Sequence, residues 1–215
     1  MNEPFKVLNL YACLGGNRLL WDNCDVTAVE LDPELAKLYQ ERFPEDKVIL
    51  GDAHQYLLNH YNEFDFIWSS PPCPTHSKAR FARRNTTSAE FPDMTLYQEI
   101  IFLRKWFEGK YCVENVVPYY EPLIQAQKRG RHLYWSNFRL PNSLNERKVS
   151  IMEGNDEVKK WCEFHKYDFY KYKGNQRVDK IARNLVDYEA GKTIFNTARG
   201  IIQNSIVNQT NLFEY

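Results

Sequence analysis

The sequence has no long apolar segment, few cysteines and no excess of charge of either sign. Each of these features excludes a class of protein or a kind of site. No apolar run approaches the roughly 18 residues of a membrane-spanning helix. The five cysteines include no CxxC pair, so we expect neither a disulfide framework nor a metal site. The 28 Lys and Arg residues balance 28 Asp and Glu residues, so a nucleic-acid surface must be local. The first residues, 1–4, lack the parts of a signal peptide, and we expect a soluble, cytoplasmic protein.

Short apolar runs alternate with helical patterns in the first two thirds of the chain, which is typical of βαβ units and a parallel sheet. We predict six strands, the last joining the sheet edge: Phe5–Tyr11, Asp25–Leu31, Lys47–Leu50, Phe64–Trp68, Tyr111–Val116 and His132–Phe138. We predict helices that start over Gly15–Trp21, run from Asp32–Pro33 through Phe43, and cover Met94–Phe107.

A basic stretch rich in aromatic residues follows a polar connection at 142–155. Lys159–Arg183 carries eight Lys or Arg against three Asp or Glu, interleaved with six aromatic side chains. This pattern fits a surface that contacts phosphates and grooves, and it fits an ordinary half-buried sheet equally well. The tail from Asn184 returns to an apolar, partly helical pattern. The organisation predicted is one α/β domain with a small basic insertion.

Polar and small residues follow three successive predicted strands, at the end where open α/β sheets bind ligands. Gly15 and Gly16 follow the first strand and let the backbone approach a ligand closely. Glu30 ends the second strand, where a carboxylate can hold both hydroxyls of a ribose. Asp52 follows the third strand and is equally suited to cap the next helix. Together they indicate a nucleoside ligand, although the spacing does not match the GxGxxG fingerprint of NAD sites.

Cys73 follows the fourth strand in a turn of three prolines, which presents the thiol at a strand end. A single cysteine is commonly a small core residue. Glu114, however, interrupts the apolar fifth strand, where a carboxylate needs a partner or a raised pKa. Because neighbouring strands lie about 5 Å apart, Glu114 can face the same pocket as Cys73. The pair predicts a nucleophile and an acid that shares a proton with a bound ring.

These motifs occur in the order found in the DNA (cytosine-5)-methyltransferases, and the chain resembles compact, phage-like members of that family. Leu10–Gly16 is similar to the family's S-adenosylmethionine loop, Pro72-Cys73 to its nucleophile motif and Glu114–Val116 to its Glu-Asn-Val motif. Arg129-Gly130-Arg131 resembles the Arg-x-Arg element, in which Arg131 would help to hold the extruded base. Residues 204–207 resemble the closing element that returns to the cofactor.

We predict three groups of site residues, of which the resemblance implies the first two. The catalytic group is Cys73, Glu114, Asn115, Arg129 and Arg131. The cofactor group is Tyr11, Ala12, Leu14, Gly15, Gly16, Glu30, Leu31, Asp52, Ala53, Pro71, Asn204 and Ser205. The DNA contacts, chosen from the basic stretches after Cys73 and before Arg183, are Lys78, Arg80, Arg83, Arg84, Lys171 and Lys173.

The fold implied is a Rossmann-like α/β methyltransferase domain, with a mostly parallel, doubly wound, seven-stranded sheet. Residues 1–140 and 184–215 would form the catalytic domain, and residues 141–183 a short target-recognition region. The reaction implied is methyl transfer from S-adenosylmethionine to C5 of a cytosine extruded from double-stranded DNA, through a covalent bond between Cys73 and C6. A cognate restriction system is then a candidate partner for a bacterial or phage-encoded enzyme.

The chain departs from the family pattern in three places. Asn9 and Cys13 replace the usual aspartate and glycine of the loop, Pro74 replaces a glutamine, and the target-recognition region is short. Two alternatives stay open. Ser70-Pro71-Pro72 also resembles a motif of the exocyclic amino methyltransferases, which act on cytosine N4 or adenine N6. The second alternative is a DNA-binding relative that has lost catalysis.

Overall fold

The strands form one mixed sheet, parallel over five strands. The computed structural model describes residues 4–146 and 156–201. Within those ranges the strands are Phe5–Leu10 (β1), Cys24–Glu30 (β2), Lys47–Leu50 (β3), Phe66–Ser69 (β4), Lys110–Val116 (β5), Gln127–Arg129 (β6) and His132–Ser136 (β7). Their order is β3-β2-β1-β4-β5-β7-β6. Strands β1 to β5 are parallel, whereas β7 runs antiparallel to β5 and to β6. The predicted seven-stranded, mostly parallel sheet is confirmed.

Helices cover both faces of this sheet. They are Pro33–Arg42 (α1), Ala53–His60 (α2), Lys78–Ala82 (α3), Thr95–Trp106 (α4), Glu157–His165 (α5), Val178–Asn184 (α6) and Tyr188–Ala198 (α7). Alternate strand residues point to opposite faces. Leu8 and Ile67 pack with α2 and α4, while Val7 and Trp68 pack with α7 on the other face. This alternation produces the doubly wound core. No helix in the described ranges is long and apolar enough to cross a bilayer.

Local signals place α1 and α4 as predicted. Asp32 caps α1 by accepting hydrogen bonds from the backbone N–H groups of Glu34 and Leu35. Pro33 occupies the first turn, where its missing N–H is not needed. The helix predicted over Met94–Phe107 is found at Thr95–Trp106.

The helix predicted over Gly15–Trp21 is wrong, because the segment between β1 and β2 forms turns. Helix α7, from the distant C-terminal part, packs against this segment so closely that Gly191 lies on the Asn17 backbone. Trp21 donates its indole N–H to the Gly191 carbonyl at 3.1 Å. Long-range packing of α7 therefore takes the place that a local helix would have filled.

Replacing Gly191 by alanine tests this packing. A Cβ at residue 191 would lie 2.6 Å from the Asn17 Cα and 2.8 Å from its carbonyl carbon, and backbone cannot move aside as a side chain can. Helix propensity alone would favour alanine by about 1 kcal/mol. We expect the overpacking to win, with a net loss of about 1–2 kcal/mol in the free energy of unfolding. Urea denaturation measures it, with Gly51→Ala, whose Cβ would meet nothing closer than 3.9 Å, as the control. A more stable Gly191→Ala protein would contradict the expectation.

The strand predicted over His132–Phe138 is found as β7, but it does not lie at the sheet edge. Strand β6 pairs outside it, and the two are joined by a tight turn at Gly130, which has a φ of 52°. The three residues of β6 are too few and too polar to produce a strand pattern in the sequence.

The described part of the basic stretch is helical rather than a half-buried sheet. Helix α5, a 3₁₀ turn over Phe169–Lys171, and α6 pack on α1. Three of the six aromatic side chains, Trp161, Phe169 and Tyr172, are buried there beside leucines of α1. Tyr172 also donates its hydroxyl to Asp32 at 2.7 Å. These aromatic residues therefore form a core instead of an exposed contact surface.

Candidate active site

A cavity of about 470 Å³ opens at the carboxyl ends of β1, β2 and β3, beside the turn that follows β4. That volume lies within the roughly 300–1,000 Å³ typical of small-molecule pockets. The predicted cofactor residues that line it are Tyr11, Ala12, Gly16, Glu30, Leu31, Asp52 and Ala53. The three strand ends singled out in the sequence therefore meet at one cavity.

Backbone amides orient Glu30 and Asp52, two of the three carboxylates that line this cavity. One oxygen of Glu30 accepts from the N–H of Cys13 at 2.8 Å, and the other accepts from two further amides at 2.9 Å. Burial raises the pKa of Glu30 above its ordinary value, and these hydrogen bonds oppose the shift. Asp52 caps α2 through the N–H of Gln55 at 2.8 Å and lines the cavity as well. Asp52 can therefore cap α2 and face a ligand in the cavity at the same time.

The loop after β1 holds two non-glycine residues in the left-handed region. Tyr11 has a φ of 57° and Cys13 a φ of 49°, a conformation that costs roughly 1–2 kcal/mol per residue. Burial, with Glu30 nearby, raises the pKa of Cys13 to about 12, so its side chain is a neutral thiol. Other contacts have to offset this conformational cost, and the Tyr11 side chain makes one of them.

Glu99 of α4 is the acceptor to which Tyr11 is tied. The Tyr11 hydroxyl donates to Glu99 at 2.6 Å, and burial together with Glu99 holds the pKa of Tyr11 well above its usual range. The Ser69 hydroxyl donates to the other Glu99 oxygen, Oε2, at 2.5 Å. His54 Nδ1 lies 3.1 Å from Oε1, the oxygen that accepts from Tyr11. Glu99 is fully buried. One carboxylate thus links the cofactor loop, the end of β4 and α4.

Three predicted cofactor residues do not line this cavity. Leu14 is buried against leucines of α1. Gly15, with a φ of 65°, packs so closely on Tyr39 that a Cβ would lie 2.8 Å from its ring. Pro71 lines a second, neighbouring cavity, and its carbonyl accepts from Asn115 Nδ2 at 2.9 Å. These residues shape the loops around the cavity.

The second cavity, of about 230 Å³, brings together the predicted catalytic residues of three different segments. Cys73, Glu114, Asn115 and Arg131 all line it. The two cavities share six lining residues: Ser70, Pro72, Cys73, Asn184, Leu185 and Val186. Cys73 therefore stands between a space suited to a nucleoside ligand and a smaller space walled by an acid and a cation.

The turn that carries Cys73 is fixed at both ends. Before it, Asn115 binds the Pro71 carbonyl, as described above. After it, the His76 N–H donates to the Cys73 carbonyl at 3.1 Å, and His76 Nδ1 lies 2.6 Å from the Tyr120 hydroxyl. Neighbouring strand β5 and the segment after it thus position the turn, which the local proline pattern alone could not do.

Electrostatics at Cys73 favour the thiol when no substrate is present. Burial, and then the negative charge of Glu114, raise the pKa of Cys73, while Lys180 and Arg131 lower it. The thiolate is the nucleophilic form. A substrate that accepts the Glu114 interaction, or that draws Arg131 and Lys180 closer, would release the reactive form.

Arg129, predicted among the catalytic residues, does not line either cavity. Its guanidinium donates to the carbonyls of Lys128, Leu140 and Pro141 at 2.6–2.8 Å. Arg129 thus ties β6 to the segment after β7. Its contribution is to hold the β6–β7 turn, and Arg131, in place.

A comparison with models of known protein families assigns the chain to one of them. The sequence model of the C-5 cytosine-specific DNA methylases matches residues 5–118, which run from β1 past β5 and include Cys73 and Glu114. The chain belongs to this family. No curated protein sequence matches the chain.

Solved methyltransferase structures resemble this DNA methylase family member over about half of its length. A TehB-like SAM-dependent methyltransferase from Corynebacterium glutamicum is 18% identical over 54% of this chain and 57% of its own, with a TM-score of 0.36. A mutant of Spodoptera frugiperda DNMT2 is 24% identical over 52% and 35%, with a TM-score of 0.37. A SAM-dependent methyltransferase from Agrobacterium tumefaciens is 16% identical over 56% and 41%, with a TM-score of 0.41. The chain spans about a third to just over half of these relatives.

Several lining residues of this methylase family member were missed in the sequence. Gln176 and Lys180 reach the larger cavity from the start of α6 and the turn before it, and Asn184–Val186 border both cavities. The family model ends at residue 118, well before them. No local pattern marks these residues, because they reach the site only when α6 and α7 dock against the β1 loop.

The predicted DNA contacts after Cys73 lie on a largely exposed segment that follows the Cys73 turn. Lys78, Arg80, Arg83 and Arg84 are all on or next to α3. Arg80 is paired with Glu90, and Arg84 lies 4.9 Å from the ring centroid of Phe81. Phe81 in turn stacks on Tyr119 at 4.6 Å. Lys78, Arg83 and Arg84 have no carboxylate partner among residues 4–146 and 156–201, so they remain available on this surface.

The other predicted contacts lie farther along the chain. Lys171 and Lys173 are exposed at the 3₁₀ turn that packs beside α1, near the larger cavity instead of beside α3. Asn204 and Ser205 lie outside the described residues. Within 4–146 and 156–201, no group of three His, Cys, Asp or Glu side chains is arranged to hold a metal ion.

Proposed function

We propose that the chain transfers a methyl group from S-adenosylmethionine to C5 of a cytosine extruded from double-stranded DNA. One observation carries this proposal: Cys73, Glu114 and Arg131 line a small cavity that shares Cys73 and its turn with the larger cavity. A nucleophile, an acid and a cation around one space suit a ring that is attacked at carbon and protonated at nitrogen. The reaction further rests on membership of the methylase family.

The polar side chains that line the larger cavity are suited to bind S-adenosylmethionine. Glu30, fixed by three amide hydrogen bonds, would hold the ribose hydroxyls, and Asp52 at the next strand end would hold the adenine. Asn9 lines the cavity, is 1% exposed, and its Nδ2 lacks a hydrogen-bond partner among the described residues. When bound, the cofactor supplies an electrophilic methyl group.

The residues of the smaller cavity would make C5 of cytosine nucleophilic. The Cys73 thiol gives its proton to solvent, the sulfur of the resulting thiolate bonds to C6, and the electron pair of the C5–C6 double bond moves into the ring toward N3. Glu114 donates its proton to N3 as this charge develops, and Arg131 stabilises it. Once C5 carries the methyl group, loss of the C5 proton to a base reforms the double bond and expels Cys73 as thiolate. N3 then returns its proton to Glu114, so the net reaction releases one proton.

The cytosine has to leave the duplex before Cys73 can reach it, at a cost of a few kcal/mol. Lys78, Arg83 and Arg84 lie on or next to α3, in the segment that follows the Cys73 turn, and phosphate contacts there would supply part of that free energy. The region 141–183 remains our candidate for target recognition through its exposed basic side chains. A restriction system remains a candidate partner.

Covalent trapping tests the proposed function. DNA of mixed sequence containing 5-fluorocytosine cannot lose its C5 substituent, so we expect an adduct stable to denaturation once S-adenosylmethionine is present. Peptide mapping should place the bond on Cys73. The Cys73→Ser protein, which keeps the size of the side chain, should form no adduct, while Cys162→Ser should trap normally. A wild-type protein that forms no adduct, and leaves the genomic DNA of expressing cells unmethylated by bisulfite sequencing, would overturn the proposal.

The same material separates the alternatives. Hydrolysis of methylated DNA and identification of the modified nucleoside distinguish C5 of cytosine from cytosine N4 and adenine N6. A methyl group on an exocyclic amine would favour the amino methyltransferases. DNA binding without any methylated nucleoside would favour the catalytically silent relative.

A further inference from the structure

Three side chains form a line from the Cys73 cavity to the protein surface. His132, at the start of β7, lines the cavity together with Glu114. Its Nε2 lies 3.5 Å from Oε1 of Glu114, and its Nδ1 lies 4.0 Å from Oε1 of Glu146. Side-chain exposure rises along the line, from 10% at Glu114 to 17% at His132 and 32% at Glu146. The imidazole therefore stands between a buried carboxylate and one in contact with solvent.

The sheet register places His132 there. In the antiparallel pair of β5 and β7, Glu114 lies opposite Tyr134 and Val116 opposite His132. His132 is two residues from Tyr134, so it lies on the same face of the sheet as Glu114, as a diagonal neighbour. The turn at Gly130 makes room for Glu146, since a Cβ on residue 130 would lie 2.9 Å from Oε2 of Glu146.

The other charged and titratable groups around His132 cannot exchange protons near neutral pH. Arg131 and Arg183 line the same cavity, and arginine stays protonated in proteins. The Tyr134 ring centroid lies 6.2 Å from that of His132, and burial holds the pKa of Tyr134 well above its usual range. Cys73 lines the cavity as well, but its sulfur is the nucleophile, so Glu114, His132 and Glu146 are left as the groups able to pass a proton to the ring.

We propose that His132 is a positioning residue that relays protons between Glu146 at the surface and Glu114 in the cavity. This role rests on the proposed function, because it matters only if Glu114 protonates a bound ring. Histidine is the side chain suited to this exchange near neutral pH. The gaps of 3.5 and 4.0 Å require small side-chain rotations, and catalytic hydrogen bonds are often long before substrate binds.

The proton balance is simple. Before Cys73 adds to C6, Glu146 gives a proton to Nδ1 of the neutral imidazole that carries its proton on Nε2, the resulting imidazolium gives its Nε2 proton to Glu114, and Glu146 recovers one proton from solvent. Glu114 then protonates N3. After Cys73 leaves, N3 returns that proton to Glu114, and the relay restores the starting state. No proton, electron pair or co-reactant is gained or lost along this line.

Adduct formation with 5-fluorocytosine DNA at saturating DNA and cofactor, followed between about pH 6 and 9, tests the relay. We expect His132→Ala to slow adduct formation about tenfold or more, without a comparable change in the KM for S-adenosylmethionine. Added imidazole should enter the vacated space and restore a large part of the rate, with a dependence on pH that follows the added imidazole. Glu146→Gln should slow the reaction in the same direction by a smaller factor.

His60→Gln is the matched control, because His60 pairs with Glu63 on an exposed helix end and should leave rate and pH profile unchanged. If His132→Ala keeps the wild-type rate and pH profile, or is slowed without any rescue by imidazole, the relay is overturned and the methyltransferase function stands. A wild-type protein that forms no adduct at any pH overturns both.

Discussion

Replacing Glu114 by glutamine is expected to slow methyl transfer by about 10²–10⁴-fold while making Cys73 more reactive toward alkylating agents. The first effect follows because the amide cannot donate the carboxyl proton to N3. The second follows because the Glu114 charge raises the pKa of Cys73, and the glutamine removes that charge. More of the thiol is then ionised at a given pH, and the thiolate is the form that reacts.

Two measurements check the expected decrease in methyl transfer and the expected increase in Cys73 reactivity. Single-turnover methyl transfer gives the first, and the rate at which iodoacetamide labels the Cys73 peptide gives the second. Because the pKa of Cys73 is raised in the wild type, its labelling should increase with pH, and the Glu114→Gln curve should lie at lower pH. Each pKa unit of displacement corresponds to about a tenfold change in thiolate at low ionisation. Glu121→Gln, an exposed carboxylate, should change neither rate. Slower labelling in Glu114→Gln would contradict the electrostatic account.

Replacing Glu99 by leucine is expected to lower the free energy of unfolding by about 3–5 kcal/mol, a large part of the typical 5–15 kcal/mol. The substitution leaves the hydroxyls of Tyr11 and Ser69 without their acceptor. It also releases Tyr11, whose φ of 57° is held by this contact, so we expect weaker binding of S-adenosylmethionine. Urea denaturation and equilibrium binding measure the two effects.

The loss of stability in Glu99→Leu is expected to depend on pH. The hydrogen bond to Glu99 raises the pKa of His54, so this pair adds stability below the unfolded pKa of histidine and loses it as pH rises through the folded pKa. The stability difference between wild type and Glu99→Leu should therefore shrink toward alkaline pH. Glu99→Gln, which keeps one acceptor oxygen, should lose less at every pH. A Glu99→Leu protein as stable as the wild type would refute the role of this network.

Elements set by neighbouring residues could be predicted from the sequence. Asp32 and Pro33 start α1 through contacts within four residues, and the apolar runs of β1 to β5 need no distant partner to be recognised. Arg129 shows the opposite case, in which distant residues decide the contacts. Its motif predicts a catalytic contact, yet its three hydrogen bonds go to carbonyls brought near by the fold.

The aromatic residues of 159–183 show the same limit. Their alternation with lysines fits an exposed contact surface, but α1 offers an apolar face that buries half of them. Hydrophobic burial is roughly proportional to the apolar area removed from water and has no direction. A sequence pattern therefore cannot say which surface, protein or nucleic acid, will cover such residues.

The sequence by itself determined strands β1 to β5, the strand ends that carry Glu30, Asp52, Cys73 and Glu114, and the family to which the chain belongs. These depend on local periodicity and on motifs read in order along the chain. Only the tertiary structure decided that Asn184–Val186 border both cavities, that Lys180 acts on Cys73, and that His132 lies between two carboxylates. The physical reason is that these contacts join residues far apart in sequence, and they form only when α6, α7 and the β5–β7 pair are packed together.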